Sequence, residues 1–228
     1  MAIYALYHTI ENINVYHKYM TFNVDLHVHS KFSGDNDADP EETVLQAIKA
    51  NLYGLAFTEH YSYEVSEYAE HLREKHAENI KIFRGVEFSS ADGHCLVFGV
   101  NTDRLSIKNA SMEEVVSIVN EKGGVVIPTH PFRGNNSIGE SVRNLKGLCA
   151  VEGYNGYSHH SQNKKALKIA DELNLPFTGG SDSHAPQEVG SCYTEFNTEV
   201  TQDNLVDLLK AGEYRGVDIR KISRIWPF

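Results

Sequence analysis

Short apolar segments of this sequence repeatedly end in a histidine or a carboxylate, and this pattern constrains the fold more than any other feature. Each segment is typical of a buried strand, and helical patterns separate the segments. Strands that alternate with helices favour a mostly parallel α/β sheet or barrel. In such folds the side chains at the carboxyl ends of the strands meet at one face, where active sites lie.

Eight histidines and carboxylates lie at or just after the ends of the predicted strands. In chain order they are His27, His29, Glu59, His60, Glu87, His130, Asp182 and His184. The chain has 12 histidines in all. Four others, which fall in the first 19 residues or in a charged helix, are expected to be solvated surface residues: His8, His17, His71 and His76.

The hydrophobic pattern predicts a sequence of elements that begins near residue 23. We expect strands near 23–29, 54–58, 81–88, 95–100, 125–128, 147–152 and 176–178. We expect helices near 40–50, 64–78, 111–122, 163–174 and 201–211, with Asp39 and Ser111 as N-caps. Residues 1–22 are expected to be an N-terminal extension, and residues 23–228 a single domain.

Composition excludes several classes of function. Lys and Arg number 21 against 31 Asp and Glu, which gives a formal charge of −10 and argues against stable binding of duplex nucleic acid. No apolar run approaches the ~20 residues that span a bilayer, so no membrane association is expected. Cys95, Cys149 and Cys192 are odd in number and far apart, which suits a reducing cytoplasm rather than a disulfide framework.

The spacing of the strand-end residues indicates which of them can bind the same metal ion. His27 and His29 are two apart, so both point to one face of a strand and can bind one metal ion. Asp182 and His184 repeat that spacing after Gly179 and Gly180, which permit a close backbone approach. The alternative is a set of buried histidines that are hydrogen-bonded within the core, but burying so many imidazoles without a metal is costly.

Six motifs together resemble the polymerase and histidinol phosphatase (PHP) superfamily. They are DLHVHS at 25–30, TEH at 58–60, GVEFS at 85–89, GHCLVFG at 93–99, THPF at 129–132 and GGSDSHA at 179–185. The resemblance implies an α/β fold, a distorted (β/α)₇ TIM-like barrel, in a stand-alone minimal form. It also implies a trinuclear metal site at the carboxyl ends of the strands and metal-dependent phosphoesterase activity.

The same resemblance implies a set of nine metal ligands. One ion would be held by His27, His29, Glu87 and Asp182, a second by Asp35, His60 and His184, and a third by Glu87, His94 and His130. Asp35 stands where some members have histidine, and an oxygen ligand there leaves the metals open among Zn, Mn and Fe. Asp25 is expected either to orient the two histidines of the first motif or to accept backbone hydrogen bonds.

The resemblance further implies hydrolysis of a phosphoester by a metal-bound hydroxide. We expect Asp182, His184 and Glu87 to take part in the chemistry. The substrate would be small and phosphorylated, a phosphomonoester such as a nucleotide or a compound like histidinol phosphate. Arg133, Lys31 and His159 are candidate substrate contacts, with a surface role as the alternative for each.

Two other classes of protein fit parts of this pattern. A metal-stabilised PHP module without turnover would serve in binding, but the complete ligand set argues against it. An amidohydrolase-type hydrolase also opens with two histidines spaced by one residue, yet typically uses a strand-end lysine that this sequence lacks. Phosphoester hydrolysis is therefore the preferred hypothesis.

Overall fold

The structure is a computed structural model that describes residues 20–220. Within that range the chain forms a mixed α/β fold. Its strands are β1 (Phe22–Val28), β2 (Gly54–Phe57), β3 (Lys81–Arg84), β4 (Val86–Ser90), β5 (Gly93–Phe98), β6 (Val125–Pro128), β7 (Val151–Asn155), β8 (Phe177–Gly180), β9 (Cys192–Phe196) and β10 (Tyr214–Asp218). Its α-helices are α1 (Pro40–Lys49), α2 (Tyr68–Lys75), α3 (Met112–Glu121), α4 (His160–Glu172) and α5 (Leu205–Ala211).

The strands form three hydrogen-bonded sheets. The largest has the order β10-β9-β1-β2-β3, in which β1, β2 and β3 are parallel and β9 and β10 are antiparallel additions at one edge. The second, β4-β5-β6, is antiparallel throughout, and the third is the parallel pair β7-β8. The expectation of a mostly parallel sheet is therefore correct only for β1 to β3 and for β7 with β8.

Local sequence explains where the helices begin. The Asp39 side chain accepts hydrogen bonds from the backbone of Glu41 and Glu42, and Pro40 occupies the first turn of α1. Ser111 and Glu114 form a reciprocal capping box at the start of α3. Each cap satisfies backbone N–H groups that have no partner within the helix, as the sequence predicted.

A buried apolar cluster joins the two larger sheets beneath the polar strand ends. It combines Leu26 of β1 and Phe83 of β3 with Ile127 of β6, all of which are nearly or fully buried. Two further clusters lie under the helices, one around α3 and one around α1 and α2. The polar strand ends are therefore supported by a packed interior.

Backbone contacts between sheets bring the strand ends together. The N–H of Asp182, beyond β8, donates to the carbonyl of His27 in β1 at 2.8 Å. His60, beyond β2, forms a parallel bridge with Glu87 in β4. Residues that are far apart in sequence thus converge on one face of the fold.

Several features differ from the sequence-based expectations. Within residues 20–220 the hydrogen-bonded sheets do not join into one closed ring of strands. β9 and β10 were not predicted, and α5 begins four residues later than expected. His76 is buried near Glu41 rather than solvated. The predicted N-terminal extension lies outside the described residues except for 20–22.

Between residues 20 and 220, no helix is both long enough and apolar enough to cross a bilayer.

Candidate metal centre

All nine predicted ligands lie in one connected cluster at the strand ends. Three groups have donor atoms that lie close enough together to hold an ion: His27, His29, Glu87 and Asp182; His29, His60 and His184; and His60, Glu87 and His94. The two remaining residues join the cluster at its edges. Asp35 Oδ2 lies 2.9 Å from His60 Nε2, and His130 Nε2 lies 2.9 Å from Glu87 Oε1.

Glu87 occupies the middle of this cluster. Its Oε1 atom lies 3.1 Å from His94 Nδ1 and 2.9 Å from His130 Nε2. Its Oε2 atom lies 3.0 Å from His60 Nδ1 and 3.3 Å from His29 Nε2. Glu87 is fully buried. Its single carboxylate faces imidazoles that come from four separate parts of the chain.

The innermost group contains donor atoms that have no protein partner. His27 Nε2 and His29 Nε2 lie only 3.1 Å apart, and both face Glu87 Oε2 and Asp182 Oδ1 at 3.3–3.5 Å. Among the described residues those two carboxylate oxygens, and also His60 Nδ1, are buried without a hydrogen-bond partner. Unsatisfied buried carboxylate oxygens are costly, and a cation between them and the imidazoles would remove that cost. The donor set therefore fits a divalent metal ion.

The second group is more open to solvent. Asp35 Oδ2 lies 3.1 Å from His184 Nε2 as well as close to His60. The Asp35 side chain is 41% exposed, whereas those of His60 and His184 are 12% and 23% exposed. This side of the cluster is therefore the side from which a ligand can enter.

The electrostatics of the buried group favour positive charge. Burial alone would lower the pKa of His29, but Asp182 and Glu87 raise it to about 9. Burial also opposes the charged form of His27, whose pKa the carboxylates of Asp182, Glu152 and Glu87 nevertheless raise well above its usual value. Burial would likewise raise the pKa of Glu87 and of Asp182, yet the imidazoles, His27 foremost, hold both well below the usual range. The pocket is thus built to hold cations.

Five imidazoles are held by a hydrogen bond at the nitrogen that faces away from the centre. The outer partners are Glu152 for His27 (2.8 Å), Ser33 for His29 (2.9 Å), Ser89 for His94 (3.1 Å), Ser137 for His130 (3.3 Å) and the carbonyl of Asp182 for His184 (2.8 Å). Such contacts fix ring orientation around metal sites. The sequence analysis assigned none of these partners, although Glu152 follows an apolar run just as the predicted ligands do.

Asp25 has the second of its two expected roles. It is fully buried and accepts hydrogen bonds from the backbone N–H groups of His27 (3.2 Å), Ser181 (2.9 Å) and Gly190 (2.8 Å). Burial raises its pKa to about 6 in spite of these bonds. Asp25 therefore ties β1 to the segment after β8, and within residues 20–220 it forms no hydrogen bond with an imidazole.

The three predicted substrate contacts are placed differently. The guanidinium of Arg133 donates to Asp182 Oδ2, at the edge of the cluster. The ammonium of Lys31 is 2.8 Å from Asp39 on the surface. His159 is exposed just before α4, where its backbone N–H bonds the side chain of Gln162. Only Arg133 is in direct contact with a predicted ligand.

Two exposed tyrosines stand beside the cluster, one of them in the segment 152–160 that was expected to offer stacking groups on this face. Tyr61, 68% exposed, has its ring 5.5 Å from that of His60, and Tyr157, 60% exposed, has its ring 5.3 Å from that of His184. Exposed aromatic rings beside a polar cleft offer a stacking surface for a ligand.

Gly180 permits the close approach that the sequence indicated. A methyl group at this position would lie 2.4 Å from Cβ of His27 and 3.0 Å from its backbone nitrogen. Any larger residue would push β1 and β8 apart beneath the metal centre.

Two family models match the chain. The PHP domain matches residues 25–125, and the PHP-associated model matches residues 160–214. These ranges include eight of the nine predicted ligands, with only His130 outside both. With the motifs and the cluster, they show that the chain belongs to the PHP superfamily.

The chain is similar to several proteins at low sequence identity. An uncharacterized protein of Methanocaldococcus jannaschii is 26% identical over 144 residues, which are 58% of this chain and 81% of that protein. PsfC of Pseudomonas syringae superposes with a TM-score of 0.65 at 20% identity, over 87% of this chain and 91% of its own. A two-domain protein of Bacteroides vulgatus, containing a predicted PHP-like metal-dependent phosphoesterase, gives 0.64 at 18% identity, over 88% of this chain and 66% of its own. Both structural matches show a shared fold.

Proposed function

We propose that this protein is a metal-dependent phosphoesterase that hydrolyses a small phosphomonoester. The observation that carries the proposal is the convergence of His27 Nε2, His29 Nε2, Glu87 Oε2 and Asp182 Oδ1, with both oxygens buried and without a hydrogen-bond partner within residues 20–220. A buried set of two nitrogens and two oxygens has little structural purpose without a cation. Membership of the PHP superfamily supports the same class of chemistry.

Three divalent ions, Zn, Mn or Fe, would occupy the cluster. The first would be held by His27, His29, Glu87 and Asp182, whose donor atoms lie close together. The second would be held by Asp35, His60 and His184, since Asp35 Oδ2 lies 2.9 Å and 3.1 Å from the two imidazoles. The third would be held by Glu87, His94 and His130, since both imidazoles face Glu87 Oε1. When bound, such ions lower the pKa of water and neutralise phosphate oxygens. Imidazole with carboxylate is a donor set that all three metals accept.

The chain's own residues would bind the phosphate and handle protons. Arg133 lies at the mouth of the cluster with its guanidinium already on a carboxylate, and the same fork of N–H donors suits a phosphate oxygen. Asp182, His184 and Glu87 remain the candidates for a direct part in the reaction. Lys31 and His159 are proposed as outer substrate contacts, because both lie in segments that follow a strand end.

A nucleotide or a compound like histidinol phosphate is the proposed substrate. Tyr61 and Tyr157 support a substrate with a planar group, since both rings are exposed beside the cluster. A formal charge of −10 supports a small substrate rather than duplex nucleic acid. We also propose a cytoplasmic location, for which the three free cysteines are the supporting observation.

The finer architecture proposed here is one distorted (β/α)₇ barrel in a single domain spanning residues 23–228. Its support is the set of contacts between sheets at the strand ends, of which the Val28–Ser183 and His60–Glu87 bridges are examples. The antiparallel strands β9 and β10 would then be an addition outside the barrel.

Metal analysis followed by an activity panel tests the proposal. Purified protein should contain two or three Zn, Mn or Fe ions per chain, and it should hydrolyse at least one member of a panel of monoesters, diesters, nucleotides and histidinol phosphate. Chelator should abolish that activity and added Mn²⁺ or Zn²⁺ should restore it. Fully loaded protein that hydrolyses no phosphoester would favour a binding module instead, and hydrolysis confined to amide substrates would favour an amidohydrolase.

A further inference from the structure

Glu152 is a buried carboxylate in β7 that links three predicted ligands. Its Oε1 atom accepts from His27 Nδ1 at 2.8 Å. Its Oε2 atom accepts from the backbone N–H of His130 at 2.8 Å and from Asn155 Nδ2 at 3.0 Å. Asn155 Nδ2 also donates to Asp182 Oδ2 at 3.0 Å. Glu152 and Asn155 therefore connect residues from the ends of β1, β6 and β8.

The orientation of the Asn155 amide is determined by its neighbours. Its oxygen accepts from the backbone N–H of Tyr157 and from the hydroxyl of Ser158, both at 3.0 Å. The amide nitrogen must consequently face the two carboxylates, because a carboxylate offers only acceptors. Both groups that contact Glu152 Oε2, the backbone N–H of His130 and the amide nitrogen of Asn155, can therefore act only as hydrogen-bond donors.

Glu152 also determines which nitrogen of the His27 ring carries the hydrogen. Since Glu152 Oε1 is an acceptor, the His27 ring must carry its hydrogen on Nδ1. In the neutral ring Nε2 then bears a lone pair. That atom is the one that faces His29 Nε2, Glu87 Oε2 and Asp182 Oδ1.

We propose that Glu152 is a positioning residue that sets the His27 tautomer and so makes Nε2 available as a metal ligand. The proposal rests on the metal centre proposed above. Through His130 and Asn155 the same side chain also holds two further strand ends in register with β1. No substrate contact is assigned to Glu152, which acts on the metal ligands through the ring of His27 and on the strand ends through His130 and Asn155.

The variant Glu152→Gln separates this role from simple packing. Its amide oxygen must stay at the Oε2 position, where His130 and Asn155 both donate. The amide nitrogen then faces His27 Nδ1 and donates to it, so the neutral His27 ring carries its hydrogen on Nε2. The side chain keeps its shape, but the nitrogen that faces the metal centre is no longer free.

Asp25→Asn is the matched control. Asp25 is equally buried and also contacts His27, but only through the backbone N–H. Asparagine there places an amide nitrogen against backbone donors, which destabilises the fold without touching an imidazole. This variant should therefore lower the thermal midpoint yet leave the His27 tautomer as in the wild type.

Zinc affinity and the ¹⁵N resonances of the histidines provide the two readouts. We expect Glu152→Gln to weaken zinc binding by about 10–100-fold in competition with a chromophoric chelator, and Asp25→Asn to change it by less than about threefold. Long-range ¹H–¹⁵N spectra of the zinc-loaded wild type and of the control should show His27 protonated at Nδ1, and Glu152→Gln should lose that signal.

The possible outcomes are distinct. If the wild type binds zinc and the Glu152→Gln variant binds it with the same affinity, this inference is wrong and the proposed function is not affected. Wild-type protein that binds no zinc overturns the metal centre and this inference with it. If Glu152→Gln does not fold, the wild-type spectrum decides alone, because coordination of zinc through Nδ1 of His27 would overturn the inference and a protonated Nδ1 would support it.

Discussion

Arg133 donates to one oxygen of Asp182 while the other oxygen of that carboxylate faces His27 and His29. The two carboxylate oxygens of Asp182 thus have different environments. Oδ2 is held by Arg133 and Asn155, and Oδ1 is buried without a hydrogen-bond partner among the described residues. Arg133 is the only basic side chain that forms an ion pair with a predicted ligand in the described part of the chain, histidines aside.

Arg133→Ala should weaken phosphate binding and leave the metals in place. Asn155 still donates to Asp182 Oδ2 at 3.0 Å in this variant, so the carboxylate keeps its orientation. We expect the inhibition constant of inorganic phosphate to rise about tenfold, with metal content by atomic spectroscopy unchanged. Arg133→Lys, which keeps the charge but not the planar fork, should give an intermediate value. Loss of metal with unchanged phosphate inhibition would show that Arg133 only supports Asp182.

Glu87→Gln should lose more metal than His94→Ala. Glu87 faces imidazoles with both oxygens, whereas His94 contributes one nitrogen at the edge of the cluster. Gln keeps the shape of the side chain but lacks the negative charge that would offset the two ions Glu87 is proposed to bridge, so the apparent affinity should fall by ~3 kcal/mol, about 100-fold.

Metal counts on both variants test this directly. His94→Ala should retain at least one ion per chain after dialysis, and Glu87→Gln should retain less. Equal and mild losses in the two variants would mean that Glu87 does not bridge ions.

The strand-end residues could be predicted because each motif is local. The two histidines of β1 share a face by their spacing alone, and Asp182 and His184 follow the apolar run of β8 in the same way. The two glycines before Asp182 predicted a close approach of the backbone, and a methyl group at Gly180 would block that approach.

Other features depend on partners that lie far away in sequence. His27 and Glu152 are 125 residues apart, and no local pattern says which carboxylate will meet which imidazole. β9 has the alternating burial of a half-exposed strand, yet its antiparallel pairing with β1 follows from long-range packing. Glu152 was missed for this reason, whereas the outer partners of the other four imidazoles lie within seven residues of them in sequence.

Ser33→Ala should weaken metal binding more than Ser30→Ala. Both hydroxyls donate to the buried carboxylate of Glu59, but only Ser33 also contacts an imidazole, that of His29 at 2.9 Å. Because the hydroxyl hydrogen of Ser33 goes to Glu59, its oxygen accepts from His29 Nδ1 and leaves Nε2 free. We expect about a tenfold loss of zinc affinity for Ser33→Ala.

The Ser30→Ala variant controls for the loss of a buried hydroxyl. It should cost about 1 kcal/mol of unfolding free energy and change zinc affinity little. Ser33→Thr, which restores a hydroxyl, should recover affinity. If both alanine variants bind zinc alike, the contact between Ser33 and His29 has no role in metal capture.

Metal binding should release protons in an amount that depends on pH. The pKa of His29 is about 9 in the metal-free fold, above the value of 6.5 for an ordinary histidine, because Asp182 and Glu87 outweigh the effect of burial. The protonated ring therefore stabilises the metal-free protein fully below about pH 6.5, and this contribution is lost as pH rises through 9. A divalent ion must displace that proton, so the apparent affinity should increase as pH rises through about 9. Titration calorimetry in buffers of different ionisation enthalpy should detect at least about one proton released per chain at pH 7.5 and a smaller number at pH 9.5.

His71→Asn, which changes an exposed histidine of α2, should release the same number as the wild type. Proton release that does not change between the two pH values would contradict the raised pKa of His29.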